Sequence, residues 1–171
     1  MRRILDGLYL GAGYVGAVFM IGTLLAILLG IASRETGFFV RGTDAYAGYC
    51  MAAASFLALA HTLQRGEHIR VTLILQHAQA RLKHALELFC HAAGVLLSGT
   101  LAWFSVRLVW QSYTFHDISQ GNDATPLWIP QIGMAVGAVV LFVALVDNLV
   151  LLLLRKTRAK PTAQAEPAHV E

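Results

Sequence analysis

Four stretches of this chain contain no Asp, Glu, Lys or Arg: 7–33, 45–64, 88–106 and 124–146. Crossing a hydrocarbon core of about 30 Å takes about 20 mainly apolar residues as a helix, because lipid offers no partner for backbone N–H and C=O groups. Each stretch meets that length, so the chain is expected to be an all-α integral membrane protein with four transmembrane helices, at about 8–32, 45–63, 88–106 and 128–150. With 57% hydrophobic and 13% charged residues, nothing is left over for a soluble domain. Residues 1–158 therefore read as one four-helix membrane domain. Residues 159–171, rich in Ala, Pro, Gln and Glu, read as a disordered tail. The first apolar run far exceeds the roughly 7–15 residues of a signal-peptide core and is expected to stay as an uncleaved span.

The net charge of +3 invites a nucleic-acid reading, but the placement of the cations points to topology instead. Arg2, Arg3, the segment after span two (Arg65, Arg70, Arg81, Lys83) and the tail (Arg155, Lys156, Arg158, Lys160) hold ten basic residues. The other two loops hold three, Arg34, Arg41 and Arg107. Basic loops stay on the cytoplasmic side, so both termini are expected there.

The densest internal positive charge lies between spans two and three. From Val71 the apolar residues fall at Ile74, Leu75, Ala78, Leu82, Ala85 and Leu86, spaced three and four apart. Arg70, Gln76, His77, Gln79, Arg81, Lys83 and His84 fill the other face. The pattern predicts a basic amphipathic helix over about 70–86, lying flat at the headgroups with its cations toward anionic lipid. It leads into span three, with or without a break.

Within the spans, Gly7 and Gly11, and again Gly133 and Gly137, have the Gly-x-x-x-Gly spacing that lets helices approach closely in lipid. Span two is crowded with small side chains, among them Gly48, and is expected to be buried among helices. Cys50 and Cys90 read as small buried hydrophobes. His77, His84 and His91 recur every seven residues, but zinc sites on helices favour closer spacing with acidic or thiolate partners. His61 reads as a satisfied histidine near the membrane surface. Asp147 falls at the cytoplasmic interface if the last span begins near Pro130, and would be an intramembrane carboxylate if that span is shifted later. Outside, Arg34 follows a long apolar run near Glu35 and Asp44, so it either snorkels to water or pairs. Trp110, Tyr113 and Phe115 are placed in an outer loop from Arg107 to Pro126 as an aromatic belt, and Gln120-Gly121-Asn122-Asp123 as a turn.

Several of these residues recur together in one family. They are Arg34 after span one, Arg65-Gly66-x-His68-Ile69-x-Val71 after span two, and Pro126-x-Trp128-Ile129-Pro130 at the entry to span four. With four spans and both ends inside, the chain resembles the small membrane subunit of tripartite ATP-independent periplasmic (TRAP) transporters over about 8–154. It departs from the family's pattern at Thr72, where an acidic residue is common. The resemblance implies a non-enzymatic, non-transporting scaffold in a bacterial inner membrane. Its partners would be a large membrane subunit that carries solute, typically an organic acid, by a sodium-driven elevator motion, and a periplasmic binding protein. Sodium would bind the large subunit, and no cofactor is expected in this chain. Arg34, Asp44, Arg65, Gly66, His68, Ile69, Arg70, Val71, Arg81, Lys83, Pro126, Trp128 and Pro130 become candidate lipid or partner contacts. Gly7, Gly11, Gly48, Gly133 and Gly137 become candidate packing positions. The alternative is a haem- or quinone-linked anchor subunit of a respiratory enzyme, in which His61 and His91 would be the available ligands.

Overall fold

The computed structural model describes residues 2–38, 40–65, 80–121 and 123–154. Among them stand four helices: α1 (Arg2–Thr36), α2 (Thr43–Arg65), α3 (Ala80–Phe115) and α4 (Trp128–Leu153). All four are long and apolar enough to cross a membrane, and the described residues contain no strand, so this is an all-helical, multi-pass membrane protein.

The helices do not close into a bundle. α1 packs on α2, α2 on α4 and α4 on α3, with a lesser contact between α1 and α4. Among the described residues α3 meets neither α1 nor α2 extensively. The result is an open row in the order α1, α2, α4, α3. Small side chains let the inner helices approach, because in lipid close backbone packing replaces the hydrophobic drive. Ala53, Ala54, Ala60, Ala138 and Ala144 are all buried, and Tyr9, Leu57 and Val140 complete the core around them. Long apolar side chains such as Leu24, Leu25, Leu28, Trp103 and Phe104 point outward.

Helix boundaries differ from the sequence reading at one informative place. The outer loop was expected from Arg107, yet α3 continues to Phe115 and carries Arg107, Trp110 and Tyr113. A single cation does not end a helix whose long side chain can snorkel. The stop comes from backbone geometry at His116, whose φ is +55°. The Asp117 N–H donates to the Ser112 carbonyl (3.0 Å) and the His116 N–H to the Tyr113 carbonyl (3.4 Å). That pair of reversed bonds satisfies the last carbonyls of the helix and turns the chain away. Residues 80–86 of the basic segment form the first turns of α3 without a break. The rest of the expected interfacial helix and the tail after Leu154 lie outside the described residues.

Candidate functional site

Both connections at one end of the row, 37–42 and 116–127, meet in a polar cluster. α1 ends where Gly37 takes φ +71°, and the Ser33 hydroxyl ties the turn by donating to the Phe38 carbonyl (2.6 Å) and accepting from the Val40 N–H (2.9 Å). α2 begins where the Tyr46 N–H donates to the carbonyl of Gly42, itself at φ +80°. In the other connection, the Ser119 N–H donates to the Thr125 carbonyl (2.9 Å) and the Leu127 N–H to the Asp117 carbonyl (3.0 Å). These bonds fold 116–127 back on itself. Pro126 and Pro130 flank the start of α4, and Trp128 stacks edge-to-face on Tyr113 with ring centres 5.7 Å apart.

Asp123 ties the second connection to α2. Its carboxylate accepts from the Ser119 hydroxyl (2.8 Å) and from the Tyr49 hydroxyl of α2 (3.0 Å). Those two hydroxyl oxygens are themselves 3.0 Å apart, and each has one proton, so both protons can serve the carboxylate while the Gly121 N–H donates to Ser119. Thr125 adds a second link by donating to the Tyr46 hydroxyl (3.1 Å). Gly42 lies directly against Asp123: a Cβ on it would fall 2.6 Å from the Asp123 Cβ. Partial desolvation pushes the Asp123 carboxyl up, but the bonds from Ser119, its own backbone and Tyr49 together hold it below the ordinary carboxylate range. A lowered folded-state value means the lock's contribution is whole above the unfolded value of about 3.9 and is lost as pH falls through the folded value. Hydrogen exchange in 116–127 is therefore expected to accelerate below about pH 4 beyond the intrinsic rate. Asp123→Ala should be loosened already at neutral pH and lose that acid response.

Arg34 and Asp44 pair beside this lock at 3.0 Å, over a cleft of about 290 Å³ lined by Ser33, Thr43 and Gly121. Their side chains are 72% and 82% exposed, so the pair adds at most about 1 kcal/mol to stability. It leaves both charges available at the rim. The expected nearness of Arg34 and Asp44 is present. Tyr49, Ser119, Asp123 and Gly42 were missed as a unit, although the polar turn at 120–123 and a tyrosine inside a small-residue span were the available signals.

The opposite end is described only in part. Arg65 closes α2. Gly66, His68, Ile69, Arg70 and Val71 lie outside the described residues, as do the side chains of Arg81 and Lys83 on α3. His61 packs its ring against Gly13, where an added Cβ would fall 2.8 Å from it, and its Nδ1 lies 3.3 Å from the Tyr9 carbonyl. The Nδ1 of His91 lies 2.8 Å from the Glu87 carbonyl one turn earlier on α3. These two histidines are on α2 and α3, helices that do not pack extensively on each other, so their placement does not favour a shared haem. Asp147 is half-buried in the penultimate turn of α4. The packing glycines divide: Gly133 and Gly137 abut Ala53 and Phe56 of α2, whereas Gly7, Gly11 and Gly48 have open space around them among the described residues.

Residues 23–155 match the family model described as tripartite ATP-independent periplasmic transporters, DctQ component. Among curated proteins none matches the chain.

Proposed function

Since the chain belongs to the DctQ family of TRAP transporter components, we propose that it is the small, non-transporting scaffold subunit of a sodium-gradient-driven importer of organic acids in the bacterial inner membrane. A tripartite transporter of this family implies a large membrane subunit and a periplasmic binding protein as partners. The observation that carries the passive role is the open row of helices with an alanine and glycine core. Coupled transport needs ionisable groups or unwound backbone near the bilayer midplane. The middles of α1, α2, α3 and α4 carry no charged residue and are continuous helix.

In this reading both termini are cytoplasmic, in line with the ten-to-three division of basic residues. The lock around Asp123 and the Arg34–Asp44 pair then face the periplasm, where the binding protein docks. Gly7, Gly11 and Gly48 leave narrow, open faces on α1 and α2 that suit close approach by helices of the large subunit. The basic segment 65–83 holds the inner rim to anionic lipid.

The test is reconstitution into sodium-loaded and sodium-free vesicles. The chain alone is expected to move no labelled organic acid. Addition of the large subunit and binding protein should give uptake that needs an inward sodium gradient. Uptake by this chain alone, or full uptake by the other two without it, would overturn the assignment.

A further inference from the structure

Away from the lock, an open groove of about 500 Å³ runs between α3 and α4. Leu101, Phe104, Ser105, Leu108 and Met134 line it together with Arg107 and Gln111. Residues 101, 104, 108 and 111 are spaced three and four apart, so they form one continuous strip along α3. Leu101 and Phe104 lie deeper in the span than Arg107 and Gln111, and Leu108 lies between those two. The polar pair lies nearer the end that carries Trp110 and Tyr113, which are 71% and 59% exposed.

The depth is telling. Arg107 lies inside the span Ala85–Thr114, roughly 10 Å below its end at 1.5 Å rise per residue. From there a guanidinium reaches the boundary between acyl chains and headgroups by snorkelling. Aromatic side chains settle at the same boundary. Arg107 has no carboxylate within ion-pair distance among the described residues. A cation at such a depth calls for an anion, and the amide of Gln111 supplies a second donor beside it.

We propose that this groove is a phospholipid site, with the phosphodiester bound by Arg107 and Gln111 and one acyl chain lying along Leu101, Phe104, Leu108 and Met134. The polarity of the groove runs in the same direction as a lipid's own, and this favours a lipid over the carboxylate of a neighbouring protein. The inference requires only that α3 spans a bilayer, and it stands apart from the transporter assignment.

The experiment is native mass spectrometry of the delipidated full chain in detergent, titrated with phosphatidylglycerol or with diacylglycerol carrying the same acyl chains. Phosphatidylglycerol is expected to bind at least fivefold better than diacylglycerol. Arg107→Gln should remove that preference, Arg107→Lys should keep much of it, and Arg41→Gln, an equal charge change in an outer loop, should leave it intact. Leu101→Trp fills the acyl part of the groove, is tolerable at an outward-facing position, and should weaken binding with Arg107 in place. Unchanged phosphatidylglycerol binding by Arg107→Gln would overturn the proposal. So would loss of a co-purifying membrane partner from Arg107→Gln with lipid binding retained, since a protein carboxylate would then be the anion.

Discussion

Gly137→Ala should destabilise the chain by about 2–3 kcal/mol, the upper part of the range for overpacking a filled interior. A Cβ at this position falls 2.6 Å from the Phe56 carbonyl carbon and 2.8 Å from the Leu57 nitrogen. Both are backbone atoms of α2, so no side-chain rotation relieves the contact and the two helices must separate. Separation would also strip contacts from Ala53, Leu57, Ala60 and Val140, which are buried beside it. Gly7→Ala and Gly11→Ala provide the matched comparison. An added methyl there meets nothing within 4 Å among the described residues, and alanine is the better helix former by up to about 1 kcal/mol. Unfolding of the purified variants in mixed detergent should thus show one large loss and two changes that are neutral or stabilising. Equal behaviour of all three would mean that α2 and α4 do not meet as described.

Gly42→Ala is expected to have the second large effect, because two separate costs coincide there. The backbone at φ +80° is unfavourable by about 1–2 kcal/mol for any residue with a Cβ. The new methyl would also collide with Asp123, whose Cβ lies 2.6 Å and Cα 3.1 Å away. Gly37→Ala separates the two terms. Its φ of +71° imposes a similar backbone cost, but no atom of the described residues stands within 4 Å of the added Cβ. The thermal midpoint should fall in both variants and further in Gly42→Ala. Only Gly42→Ala should raise hydrogen exchange across 116–127, by breaking the bonds that Tyr49 and Ser119 make to Asp123. If both variants left that loop equally protected, the two connections would not be in contact.

The four helices could be read from the sequence because a bilayer imposes a length and forbids charge, and both conditions are visible residue by residue. The same rule misplaced the end of α3. Arg107 breaks the apolar run without breaking the helix, and the real stop depends on a left-handed residue at His116, a position where Gly or Asn would have been the recognisable signal. The Gly-x-x-x-Gly motif shows a second limit. Gly7/Gly11 and Gly133/Gly137 have identical spacing, yet among the described residues only the second pair touches a neighbouring helix. The motif states that close approach is permitted and says nothing of which neighbour arrives. The Asp123 lock was hidden for a related reason. Tyr49 and Asp123 meet only once α2 and α4 lie side by side, so their pairing is a product of the fold rather than of local pattern. By contrast Arg34 and Asp44 lie ten residues apart across a short turn, so their nearness was legible, and the structure decides for pairing over snorkelling.

The row of helices also has a history implied by its order. α1 with α2, and α3 with α4, are hairpins of adjacent segments, and each can form as soon as its second helix leaves the translocon. The α2–α4 seam joins Ala53 to Gly133 and Phe56 to Gly137, residues 80 and 81 positions apart in the chain. That seam must be the last to zip, and it closes a long loop when it does. Biogenesis therefore passes through two inserted but unjoined hairpins. Glycines on α4 govern the step that unites them, so a seam defect should first appear as slow maturation and protease-sensitive halves in the membrane.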